Sequence, residues 1–397
     1  MCEPSGLQIC HAIEFPITLT RPVVREMETN NEYRNRLEKV LGVQSITETD
    51  SGSERIRHSL SQEDFPVPEL LFIAFGEILA TKPFGPYEKM AWAFDLTFAA
   101  SRVSVALEKF GLSLYAPANI EFNTIRRALK ECCKIAEQYL QPTIAQQINS
   151  ANITLDNQYR RFEGAYLFFR QAAQESYDAP PLKPVVTKTD FATCTSSRPF
   201  QPVQHGGFLA SAMLDAYYSK LEHTLVLMAP FSEMKLSNGE IQKLVGATWG
   251  EKFKYVFDIS TDSSAKSVYD DLTRVKEAFR NPTAHGGFLK KGMSFHFHTA
   301  AGALPVLLTK VSTAFEFQIT PVPAATYLEI CTIFDQTDRF LGSCLLADAF
   351  AYVSSGLPVA VDDVSRSAYR LAMASGNFSD FIARTSDDWE RQVNMDY

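Results

Sequence analysis

Arg280, Asn281 and His285 stand within six consecutive positions of a 397-residue chain, in the stretch Phe279-Arg280-Asn281-Pro282-Thr283-Ala284-His285-Gly286-Gly287-Phe288. A histidine exchanges a proton near neutral pH, so it can take one from a ribose 2′-hydroxyl or give one to a leaving 5′-oxygen. An arginine offers a permanent, forked cation to phosphoryl oxygens as negative charge builds on them. Asn281 can orient either partner or contact phosphate. These are groups that metal-free RNA cleavage can use. Arg274, Lys276, Lys290 and Lys291 surround them with a locally basic stretch, and Arg274, Lys290 and Lys291 are candidates for holding substrate. Spacing imposes a geometric demand. Residues five apart on a straight helix lie about 140° apart around its axis. Arg280 and His285 therefore converge only where the chain kinks or where a second protomer completes the site. Pro282 removes a backbone donor and favours a kink or restart, with Asn281 as N-cap and Pro282 at the first helical position.

The elements that must present these groups are helical by period. Val268, Leu272, Val275 and Phe279 fall at i, i+4, i+7 and i+11 after Asp262-Ser263-Ser264, which predicts a helix over 265–280. A longer one is predicted over 208–230, with Leu214, Tyr217, Leu221, Leu225 and Met228 on one face and Pro230 as its stop. Between them, Ser237-Asn238-Gly239-Glu240 reads as a capping box that opens a helix over 240–258, burying Ile241, Leu244, Val245, Phe253 and Val256. Beyond Gly286-Gly287 the period changes to two in Ser294-Phe295-His296-Phe297-His298, and again at Phe315, Phe317 and Ile319, so a small β-ribbon is expected. Helix returns over about 324–354, and 362–388 adds one or two short helices.

The set Arg280-Asn281-Pro282-Thr283-Ala284-His285 resembles the signature of the HEPN superfamily (higher eukaryotes and prokaryotes nucleotide-binding domain). That signature is an arginine, then a polar residue, then a histidine four to six residues after the arginine. The resemblance covers about 205–355. It implies a helical bundle in which the motif follows a long helix, with Arg280, Asn281 and His285 in the catalytic positions. Glu222, on the first helix of that bundle, sits where a polar residue supports such a site. Many HEPN proteins are metal-independent endoribonucleases of toxin, phage-defence or RNA-processing systems. The resemblance therefore implies an RNA substrate, a homodimer joining two motifs, no cofactor, and an antitoxin or regulatory protein as a further partner.

The first half carries no comparable signal. Residues 1–65 read as an irregular extension, with Glu54-Arg55-Ile56-Arg57-His58 in a loop and a helix at Asn31–Leu41. From 66 to 185 a helical domain of unknown role is expected. Its stripes are Leu71, Phe75, Ile78 and Leu79, then Tyr87, Met90, Phe94, Phe98, Val105 and Phe110, then Phe122 to Ile135 ahead of Pro142, then Tyr159 to Phe169. The Pro/Ser-rich stretch 176–205 marks the boundary, and 186–397 forms the HEPN-like domain with its C-terminal helices. The fold class expected is mainly α: a helical bundle with a small β-ribbon insertion, plus an N-terminal helical domain.

Bulk properties bound the rest. A net charge of −8 and 46% hydrophobic residues suit folded domains and oppose broad binding to anionic surfaces. Seven cysteines without a CxxC pair favour reduced thiols in a cytoplasmic protein over a disulfide or zinc framework. No signal peptide or membrane span is read. His296 and His298 share a strand face but lack a third ligand nearby, so no metal site is expected. His205-Gly206-Gly207-Phe208-Leu209 repeats His285-Gly286-Gly287-Phe288-Leu289, but the flanks differ and coincidence is the reading. Neither a P-loop nor a dinucleotide loop occurs. The alternative function is a non-catalytic HEPN-like scaffold or an RNA- or protein-binding module. In that case Asn281-Pro282 is only a helix break and Arg280 only a surface charge.

Overall fold

Trp92, Phe94, Leu96 and Phe98 recur at every second residue and are all buried, so this stretch faces a core as a strand does. It is β-sheet, not the helix expected there. The computed structural model describes residues 27–42, 55–99, 101–233, 236, 239–280, 288–289, 292–300, 302–307 and 322–394. The chain is mainly helical with small antiparallel sheets. It divides into two compact units, residues 1–147 with 383–397, and residues 148–382. The division thus falls at Gln147, ahead of the Pro/Ser-rich stretch expected to mark it.

The first unit begins with α1 (Met27–Leu41), strand β1 (Arg55–Ser59) and the short α2 (Glu69–Phe72), which runs on as a π turn over Ile73–Ile78. Strands β2 (Met90–Phe98), β3 (Ser101–Glu108) and β4 (Gly111–Pro117) follow, then α3 (Phe122–Asn149). The sheet has the order β1-β4-β3-β2 and is antiparallel throughout. Its core joins Leu37, Phe75, Phe94, Val105 and Leu114 to Leu129 and Ile135 of α3. Arg55 to His58 pair with Tyr115 to Pro117 and Leu114 of β4, so they form an edge strand and not a loop. Phe94 and Phe98 are four apart, a separation that fits one helical turn and two strand repeats equally. That degeneracy is why the stripe misleads. Pro142 lies inside α3, which continues to Asn149.

The second unit opens with β5 (Thr154–Leu155) and α4 (Tyr159–Asp178), then the hairpin β6 (Val185–Lys188) and β7 (Thr193–Ser196), then α5 (Gln201–Met228) with a 3₁₀ turn at Ala229–Phe231. Next come α6 (Glu240–Gly246), α7 (Trp249–Val256) and α8 (Ser263–Val275), which passes into a π turn at Lys276–Arg280. A ribbon of β8 (Phe288–Leu289), β9 (Gly292–Thr299) and β10 (Gly302–Leu307) precedes α9 (Ala324–Leu341) and α10 (Ala347–Ser355). Strand β11 (Val359–Ala360) pairs with β5, α11 (Asp363–Ala374) follows, and α12 (Phe378–Asn394) begins in this unit, its residues from 383 on counting with the first.

One helix was expected over 240–258, but α6 and α7 are separate because Thr248 caps a new start: its hydroxyl accepts from Glu251 N while Glu251 bonds back to Thr248 N. Val245 is exposed as a result. Gly239, with φ of +79°, stands at the start of α6 without a side-chain cap. Ser237 and Asn238 of the expected capping box lie outside the described residues, as do Phe315, Phe317 and Ile319. Helix α4, expected in the first domain, packs along α5 in the second. At the other end of α5, buried Arg366 donates to the carbonyls of Pro230 and Ser232, each at 3.1 Å. Pro230 is buried, so its carbonyl at the end of the helix is satisfied by the guanidinium where water cannot reach it.

Candidate functional site

Helix α5 carries Asp215, Tyr218 and Glu222 at i, i+3 and i+7, one face of the helix. Helix α8 delivers Arg280 to that face. Asp262 caps α8 by accepting from the backbone N–H groups of Ser264 and Ala265, and Leu272 and Val275 bury its apolar side. The helix then widens into the π turn, a form in which hydrogen bonds run i to i+5 and which clusters at functional sites. A π turn rotates less per residue than an α turn, so it draws Arg280 back toward the packed side of α8.

Arg280 Nε donates to Asp215 Oδ1 at 3.0 Å, and its Nη1 lies 3.6 Å from Glu222 Oε1. The guanidinium carbon sits 5.0 Å from the centre of the Tyr218 ring, a cation–π contact. Tyr218 is buried, and its hydroxyl donates to the Leu272 carbonyl of α8. Burial pushes its phenol well above the usual range, with the Arg280 charge opposing. Glu222 uses its other oxygen to accept from Lys252 Nζ of α7 at 3.1 Å, and Lys252 is buried. Lys276 Nζ stands 5.6 Å over the Trp249 ring. Burial there lowers its ammonium pKa, the charge of Arg280 lowers it further, and Glu222 acts the other way. The result is three cations, Lys252, Lys276 and Arg280, interleaved with two carboxylates. Arg280 keeps 22% of its side chain exposed, enough to present one edge of a fixed cation at the surface.

Of the residues singled out from sequence, the structure brings Glu222 and Arg280 together. Arg274 is not part of that cluster: it pairs with Asp271 of its own helix at 2.8 Å and is half exposed. Asn281, Pro282, His285, Lys290 and Lys291 lie outside the described residues, and so does the expected kink at Asn281-Pro282. Asp215, Tyr218 and Lys252 escaped the sequence reading. The helical spacing of Asp215, Tyr218 and Glu222 was the available signal, masked because apolar residues of α5 dominate its pattern. His296 and His298 do fall on one strand, β9, and among the described residues no three His, Cys, Asp or Glu side chains cluster as metal ligands do.

A second polar cluster lies deeper. Lys220 is almost wholly buried, and its Nζ donates to Asp338 Oδ2 at 2.7 Å. It sits 5.8, 5.0 and 4.9 Å from the ring centres of Tyr159, Tyr166 and Tyr217. Tyr217 also donates to Asp338, at 3.0 Å. Beside it, Arg170 grips Asp335 with two bonds at 2.5 and 2.8 Å. These groups tie α4, α5 and α9 together and are satisfied by one another, which fits an internal clasp. No protein-family model matches the chain, nor does any curated protein sequence or solved structure.

Proposed function

We propose that this chain is an HEPN-type, metal-independent endoribonuclease that cuts RNA by 2′-OH transesterification. The observation that supports it is the fixed Arg280, held by Asp215 and Glu222 over the Tyr218 ring at the end of α8. A guanidinium locked before substrate arrives loses little freedom on binding, so its charge is available to the transition state without reorganisation. In the reaction the ribose 2′-oxygen bonds to phosphorus and the bond from phosphorus to the 5′-oxygen breaks, leaving a 2′,3′-cyclic phosphate. His285 moves the proton and Arg280 balances the charge on the phosphoryl oxygens. A homodimer in the cytoplasm, restrained by an antitoxin or regulator in a toxin or phage-defence setting, suits such an enzyme.

The test is incubation of the EDTA-treated chain with tRNA, rRNA and mRNA, with the product ends mapped. Cyclic phosphate ends from the wild type, lost in Arg280→Ala and His285→Ala, are expected. Intact RNA with the wild type would sink the reading. The second reading, a non-catalytic scaffold, draws on the same ion pairs, since an arginine bonded to two carboxylates also joins α8 to α5. Under it, Arg280→Ala lowers the unfolding midpoint and nothing else.

A further inference from the structure

Between α4 and α5 the chain rises into the β6–β7 hairpin, and every residue of both strands is exposed. The register pairs Val185 with Ser196 and Lys188 with Thr193. Thr189 and Ala192 close the turn with reciprocal backbone bonds of 2.8 and 3.4 Å. Phe191 stands at the tip, 98% exposed. A two-stranded sheet alone is marginal in water, and this one shows all of its side chains to solvent.

Its charges favour one class of partner. Residues 182–200 carry Lys183, Lys188 and Arg198 against the single acid Asp190, in a chain whose net charge is −8. All three cations are exposed. The arm also offers the hydroxyls of Thr187, Thr193, Thr195 and Ser197. Protein interface cores are depleted in charge. Basic and hydroxyl side chains are instead what contact phosphate and sugar, and an exposed aromatic ring stacks on an unpaired base.

Place adds to composition. The arm joins α5 at Gln201, and Arg280 bonds to Asp215 on the same helix. At ~1.5 Å per residue the separation along α5 is about 20 Å. A stacked strand rising ~3.4 Å per nucleotide covers that in about six nucleotides. We infer that the hairpin Val185–Ser196 is a binding arm for single-stranded RNA, in which Phe191 stacks on a base and Lys183, Lys188 and Arg198 hold phosphates a short distance from Arg280. This rests on the ribonuclease reading and names where that site grips its substrate.

The experiment measures fluorescence anisotropy of a labelled 20-nucleotide oligouridine with the full chain carrying Arg280→Ala, so that the probe is not cut. Adding Phe191→Ala should weaken binding roughly 5- to 100-fold. Adding Lys183→Gln, Lys188→Gln and Arg198→Gln together should flatten the slope of log affinity against log salt by about 2. All four positions are exposed, and an unchanged unfolding midpoint checks that each variant folds. Unaltered affinity and slope overturn the proposal. So does loss of a dimer in sedimentation with RNA affinity intact, which makes the arm a protein contact. Cleavage of the same oligonucleotide by the chain with Arg280 in place separates the two ideas. Cutting with arm-independent binding sinks only the arm, and arm-dependent binding without cutting sinks only the nuclease.

Discussion

Arg280 is held by geometry that a lysine cannot copy. Its Nε and Nη1 address two carboxylates at once while the planar group lies on the Tyr218 ring. Under the proposed ribonuclease reading, Arg280→Lys keeps the charge and loses the fork, so RNA cleavage measured by product appearance is expected to fall about 100-fold. Asp215 is 53% exposed, so Asp215→Asn should change stability by no more than about 1 kcal/mol. It should nonetheless cut cleavage if Arg280 must be held in place, and a denaturation curve beside an activity assay separates the two effects. His223 makes a different prediction. Its Nε2 accepts from Gln158 N at 2.9 Å, and the ring packs against Phe162. Burial lowers its pKa, so the folded state prefers the neutral ring while the unfolded chain takes up a proton first. Its contribution is present above the unfolded value of about 6.5 and is lost as pH falls below that toward the depressed folded value. Urea midpoints taken from pH 7.5 to 5 should drop, and His223→Gln should flatten the drop.

At the scale of elements, the approach of α4 to α5 depends on a missing side chain. A Cβ at Gly206 would meet the Tyr177 ring at 2.8 Å, while the Tyr177 hydroxyl bonds to the Val322 carbonyl. Gly206→Ala should therefore cost about 1–3 kcal/mol by overpacking, read from chemical denaturation. A second substitution shrinking Tyr177 to Leu should recover part of it. This also gives Gly206 a packing role in a helix, which the likeness of 205–209 to 285–289 did not disclose. The joint between α5 and α9 rests on Lys220 and Asp338. Removing one member leaves the buried ammonium without its partner, so Asp338→Ala should destabilise by about 2–4 kcal/mol. Lys220→Met, which removes the buried charge itself and keeps the chain length, should cost less. A midpoint lowered more by Lys220→Met than by Asp338→Ala would show that the pair is not what holds the joint.

At the scale of the whole molecule, two cores share no residue among the described ones. One gathers Leu37, Phe75, Phe94 and Ile135, the other Tyr217, Phe253, Phe334 and Tyr352. Each unit should melt as its own cooperative transition. Phe94→Ala is expected to destabilise only the first unit, and Phe334→Ala only the second, each by about 3–5 kcal/mol of unfolding free energy. A single calorimetric peak moved by both substitutions would contradict this. No helix among the described residues is long and apolar enough to cross a membrane.

What the sequence by itself determined is local. Val268, Leu272 and Val275 announced α8 and Tyr159 to Phe169 announced α4, because a 3.6-residue period is written in side chains a turn apart. The period-two run at Ser294–His298 likewise announced β9. Where two periods coincide, as at Phe94 and Phe98, the sequence was ambiguous, and only pairing with β3 made the segment a strand. Arg280 and Glu222 were both singled out in the sequence, and the fold brings them within 3.6 Å of each other. That Asp215, sixty-five residues away, is its nearest carboxylate partner, and that a π turn aims it, were not legible. Contacts at such separation depend on how α8 lies across α5, which burial and backbone hydrogen bonding settle together and no single stretch of chain encodes.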